Sequence, residues 1–245
     1  MDTSWALTWA GTSMLIDPWL VGSEVDGFSW FNEQWHATPP VAIDDLGEYQ
    51  SILVSQKYSD HCHRQTLEAL HHVPLIATPS ASKRLRREMP SQEIRILPEL
   101  CSGNWLDEGS LKLAYLDPGR IIDPIYNGVV IRHGQQVVVY FPRGFSLRAP
   151  QLEVLKSLDV LILITSFSTF RLPAFLGGAS NPGKEHALKL VEALHPRKVV
   201  HTHDENKHAR GLVKKLAKVD YPDPATLEAS MSGRFVYVQY EAFNL

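Results

Sequence analysis

Val54-Ser55-Gln56-Lys57-Tyr58-Ser59-Asp60-His61-Cys62-His63 begins inside one apolar run, Ser51 to Ser55, and ends where a helical pattern, Arg64 to His71, takes over. A short continuous apolar run reads as a strand covered on both faces. The polar residues after it read as the loop joining that strand to the helix. Asp60, His61 and His63 fall within four positions of that loop. Carboxylate and imidazole placed together at a strand end form the donor set that divalent metals take.

Outward from this junction the pattern alternates. Trp5–Trp9 and Ser13–Asp17 read as strands around a turn at Ala10-Gly11-Thr12, and Asp17-Pro18 ends the second. Val73–Ala77 and Glu93–Leu97 read as strands, with a helix over Ser80–Met89 between them. Ser110–Leu116, Gly128–Arg132 and Gln136–Phe141 read as strands, the last two joined by a hairpin at His133-Gly134-Gln135. Helices then return at Pro150–Ser157, Lys184–Leu194 and Asn206–Lys218, with strands at Asp159–Ile164, Lys198–His201 and Phe235–Tyr240. Strands followed by α/β in each half predict a four-layer αββα sandwich, each half supplying one sheet. No fixed repeat or linker divides the chain, so residues 1–245 read as a single domain.

The 245 residues, 44% hydrophobic and 21% charged, suit a globular core. A net charge of -3 gives no reason to expect nucleic acid or an acidic membrane as partner. The basic run Lys83, Arg84, Arg86 and Arg87 reads as a solvated helix face. Two cysteines are too few for a disulfide framework, and Met1–Trp5 lacks the features of a secretory signal. The expected location is the cytoplasm. Five of the six tryptophans lie in the first 35 residues, and the irregular stretch Val21–Pro40 holds two of them, so it reads as a core plug or a pocket lid.

These motifs together resemble the metallo-β-lactamase superfamily, in style its metal-dependent hydrolase branch without β-lactam activity. Ser13-Met14-Leu15-Ile16-Asp17-Pro18 resembles the early strand ending in Asp-Pro. Ile52–Ser55 followed by Asp60-His61 resembles the strand and final Asp-His of the H-x-H-x-D-H metal motif. Val137–Gly144 resembles the strand leading to the central ligand loop, and Val199-Val200-His201-Thr202-His203 the late strand ending in the last histidine ligand. The chain departs from the motif at Gln56 and Tyr58, which stand in the places of its first two histidines. Arg143 stands where a histidine or aspartate belongs.

The resemblance implies two metals, one at the Gln56 and Tyr58 positions and one at Asp60, His61 and His203. Glutamine is a weak neutral donor, and a phenol with a pKa near 10 is a poor one, so the first position reads as empty. Asp60, His61 and His203 remain as candidate ligands for one ion. Arg143, if it enters the cleft, pairs with Asp60 and repels a divalent cation. Asp17, Gln56, Tyr58, His63, Arg143 and His201 are the other cleft-lining candidates. Asp17 either orients a histidine or caps the turn at Pro18; His201 and His203, on one strand, face the same side. Asp204 reads as the cap of a helix beginning near Asn206, Cys62 as a buried thiol, and Leu176–Gly183 as a rim loop. The expectation is an eroded site without a cofactor that binds a small, anionic ligand or a partner. The alternative is a hydrolase of an ester, lactone or phosphoester using one zinc, manganese or iron ion. A third reading has the tryptophan-rich loop sealing the cleft.

Overall fold

The computed structural model describes residues 3–119, 127–173, 178–205, 207–238 and 242–243. The chain opens with the hairpin β1 (Trp5–Trp9) and β2 (Thr12–Ile16), then a small hairpin, β3 (Glu24–Val25) and β4 (Glu33–Trp35). Next come β5 (Ser51–Val54), α1 (Arg64–Ala69), β6 (Leu75–Ala77), α2 (Pro79–Glu88) and β7 (Ile94–Ile96). The second half contains β8 (Leu106–Glu108), β9 (Leu111–Leu116), β10 (Gly128–His133), β11 (Gln136–Phe141), α3 (Ala149–Lys156) and β12 (Asp159–Thr165). It continues with β13 (Thr169–Arg171), β14 (Ala179–Pro182), α4 (Lys184–Leu194) and β15 (Lys198–His201). Last come β16 (His208–Arg210), α5 (Leu212–Leu216), β17 (Lys218–Asp220), α6 (Pro224–Met231) and β18 (Phe235–Val236).

Two sheets stack as expected. One has the order β1-β2-β5-β6-β7, the other β18-β15-β12-β11-β10-β9-β8. Period-2 alternation makes each central strand serve two cores. Leu53 and Ile16 enter the core between the sheets, while Ile52 and Val54 pack under α1 and α2 with Leu67 and Leu85. In the second sheet Val138 and Tyr140 face the inter-sheet core, whereas Val137, Val139 and Phe141 pack against α3, α4 and α6. The layers are therefore helix, sheet, sheet, helix. No helix of the described residues is long and apolar enough to cross a membrane.

Three expectations are corrected. Val21–Pro40 is not a structureless plug: β3 and β4 pair there, and β16 joins them as a third strand. Trp30 is 68% exposed, so it does not fill the core. The expected helix from Asn206 is β16 followed by the five-residue α5; Asn206 itself lies outside the described residues. The last strand stops at Val236, with 239–240 outside the description, as are residues 176–177 of the expected rim loop, whose Ala179–Pro182 forms β14.

Candidate functional site

Four strands end at one edge of the sandwich, and each delivers a site residue just past its carboxyl end. β2 is followed by Asp17, β5 by the loop holding Asp60 and His61, β11 by Arg143 and β15 by His203. Parallel pairing of β2 with β5, and of β12 with both β11 and β15, brings these ends together.

Asp17 is the hub of the buried side. Its carboxylate accepts the Ser55 backbone N–H at 2.7 Å and the Ser55 hydroxyl at 2.5 Å. The Tyr140 hydroxyl lies 3.0 Å from Oδ2, and His61 Nδ1 lies 2.7 Å from the same oxygen. An acceptor at Nδ1 keeps the proton there and leaves Nε2 with its lone pair toward the cleft. Of the two roles read for Asp17, orienting a histidine is the one its contacts match. Asp17 sits at φ 46°, the left-handed region.

Asp60, His61 and His203 each offer a donor atom within 4.8 Å of the others. His203 Nε2 is 3.3 Å from Asp60 Oδ2, and His61 Nε2 is 3.6 Å from it. Arg143 completes the group. Its Nη2 pairs with Asp60 Oδ2, and its Nε–H donates to His61 Nε2 at 3.3 Å. Burial alone would raise the Asp60 carboxyl, but Arg143, then His61 and His203, outweigh it and hold it well below the usual carboxylate range. Asp60 Oδ1 is buried with no hydrogen-bond partner among the described residues.

Metals in this fold would draw on the Asp60 Oδ2 and His61 Nε2 lone pairs. Both are met here by N–H groups of a guanidinium, which stays protonated. With Arg143 so placed, its guanidinium competes with a divalent ion for two of the three donors.

The other candidates separate. Gln56 is buried with both amide atoms lacking a partner among the described residues. The Tyr58 ring lies 5.9 Å from the Arg143 guanidinium, and burial raises its phenol despite that charge, which weakens it further as a ligand. His63 instead caps α1: its Nδ1 lies 2.9 Å from Thr66 Oγ1 and its Nε2 3.2 Å from the Ser23 carbonyl. His201 hydrogen-bonds the Val238 backbone at 3.1 Å and stacks on Tyr237 at 4.8 Å, and burial lowers its pKa. His201 and His203 do not share a face, because β15 ends at His201 and His203 turns to φ 57°. Asp204 is not a helix cap. It accepts from the Ser166 hydroxyl (2.7 Å) and the backbone N–H groups of Phe167 (2.9 Å) and Ser168 (2.8 Å). Cys62 is buried as expected, its thiol pushed up to about 12 by burial.

Sequence reasoning missed Glu24. It is buried beside this loop and accepts the Ser59 hydroxyl at 2.6 Å. Its only sequence signal was an acid in an aromatic, aperiodic stretch.

The family's sequence model, described as the β-lactamase superfamily domain, matches residues 2–203. The chain belongs to the metallo-β-lactamase superfamily. Solved structures carry the same fold at low identity. The CmlA β-hydroxylase E377D mutant superposes with a TM-score of 0.68 at 17% identity over 98% of this chain, which spans 51% of that protein. An isothiocyanate hydrolase from Delia radicum gut bacteria gives 0.66 at 18%, covering 99% of this chain and 96% of that one. Igni18, a metallo hydrolase from Ignicoccus hospitalis, gives 0.68 at 11%, covering 100% and 96%. No curated protein sequence matches the chain.

Proposed function

We propose that this metallo-β-lactamase-fold chain has an eroded metal site, with Arg143 standing where a cation stood, and binds a small anionic molecule in the old cleft. One observation carries the reading: Arg143 takes both Asp60 Oδ2 and His61 Nε2. A guanidinium there neutralises the acid and gives the cleft a permanent positive group. The buried Asp60 Oδ1 remains as an acceptor for a ligand N–H or O–H. Gln56 and Tyr58 at the first two ligand positions of the motif support the same conclusion.

The second reading is a one-ion hydrolase of an ester, lactone or phosphoester, in which Arg143 withdraws and Asp60, His61 and His203 hold the ion. The convergence of their donor atoms within 4.8 Å favours it.

Zinc titration of chelator-treated protein separates the two. The native chain should bind zinc weakly, and Arg143→Gln should bind it on the order of a hundredfold more tightly, because removing a unit charge about 4 Å from a cation site is worth a few kcal/mol. Tight stoichiometric zinc in the native chain, unchanged by Arg143→Gln, would overturn the first reading and leave the second.

A further inference from the structure

The basic run of α2 opens onto a groove of about 770 Å³. Lys83, Arg84 and Arg87 line it, joined by Lys57 from the loop after β5; Arg86 is not part of the lining. Lys83 and Arg87 are four residues apart on one helix, so they stand on the same face one turn apart. The acids of the lining are Asp26 and Glu88. Glu88 is already engaged, by Arg84 Nε at 2.9 Å and Arg87 Nη2 at 3.7 Å. Arg84 also donates to the Lys57 carbonyl at 2.6 Å, which ties the loop to the helix. Lys57 and Lys83 form no ion pair among the described residues. The lining thus sets four cations against two acids, an excess of two positive charges, with neither ammonium group in an ion pair among the described residues. A convex helix face would disperse this charge into solvent; a concave wall concentrates it.

The inner wall of the groove is Tyr58 and Ser59, the residues immediately before Asp60. The Tyr58 ring is shared: Lys57 Nζ, from the groove lining, is 5.6 Å from its centre, and the Arg143 guanidinium of the Asp60 cluster is 5.9 Å from it. The groove therefore runs up to the Asp60 cluster rather than lying apart from it.

We propose that this groove holds the phosphate-monoester group of a small molecule whose remainder passes Tyr58 toward Arg143 and Asp60. Near neutral pH such a group carries close to two negative charges, which matches the excess in the lining; a carboxylate carries only one. The path of the remainder rests on the anion-binding reading above. The phosphate anchor itself does not.

Calorimetric titration of the metal-free full chain with inorganic phosphate, and separately with acetate, tests the anchor. Phosphate should bind saturably, with acetate weaker by about tenfold or more, and Lys83→Glu with Arg87→Glu should weaken phosphate by about tenfold or more. Lys156→Glu with Lys189→Glu, on α3 and α4, changes net charge equally and should leave phosphate binding unchanged. Should the groove pair unfold, Lys83→Gln alone should weaken phosphate by about threefold. Absent phosphate binding, acetate binding as tightly, a fully folded groove variant that binds normally, or a control pair that loses as much would each overturn the proposal. Zinc affinity of the Arg143 variant is read separately, so either idea can fail while the other stands.

Discussion

Glu24 is an acid beside the site whose ionisation moves upward, opposite to that of Asp60. Burial first, and then the charge of Asp60, push its carboxyl up to about 7, against the pull of Lys207. Its ordinary value is near 4.5, so between those pH values the folded chain binds a proton the unfolded chain releases. Stability therefore falls as pH rises through that window and stays lowered above it. Glu24→Gln removes the titration while keeping an acceptor for Ser59. Urea unfolding should find the variant close to native in stability at pH 4 and about 2–3 kcal/mol more stable than native at pH 8. A constant difference across pH would mean that Glu24 does not titrate this way. None of this was readable from the chain, because burial of an acid depends on what packs over it.

Among the elements, the turn after β15 shows where local pattern stops being enough. Leu212, Val213 and Leu216 fit helical spacing, which made one long helix from Asn206 the natural reading. Pairing of His208–Arg210 with Glu33–Trp35, and Gly211 at φ 103°, end that possibility before α5 begins. Asp204 then serves the neighbouring turn instead of a helix. Asp204→Ala leaves the N–H groups of buried Phe167 and Ser168 without their acceptor and should cost about 2 kcal/mol. Hydrogen exchange at those two amides should quicken with the loss, and Asp204→Asn should restore part of the protection. Unchanged exchange in the alanine variant would show that the clamp contributes little. By contrast β10, β11, α4 and β15 lie within a residue of where periodicity and turn residues put them, because their patterns are long or flanked by glycine and proline.

Across the whole molecule the two sheets share one core. Leu53 and Ile16 from the first half meet Leu113, Val138 and Tyr140 from the second. This continuity predicts a single cooperative unit. Leu113 is fully buried between the sheets, and Leu113→Ala should cost about 2–5 kcal/mol. Circular dichroism and tryptophan fluorescence should follow one coincident transition in both native and variant protein. Two separated transitions would mean that the halves fold independently.

Helices α1 to α4, most strands of the two large sheets, the two-sheet layering, the Asp60-His61 loop and the departures at Gln56 and Tyr58 were present in the residues alone. Each follows from side-chain periodicity or a motif of near neighbours. Helix α6 and the short strands β3, β4, β8, β13, β14, β16 and β17 were not legible there. Contact of Arg143 with Asp60, 83 positions earlier, and of Tyr140 with Asp17, 123 positions earlier, depended on the folded chain. So did the parting of His201 from His203 and the grouping of a helical basic run into a groove. Such features depend on backbone turns at single residues and on which strand ends meet. Spacing along a chain fixes faces and periods, but not which loops converge in space.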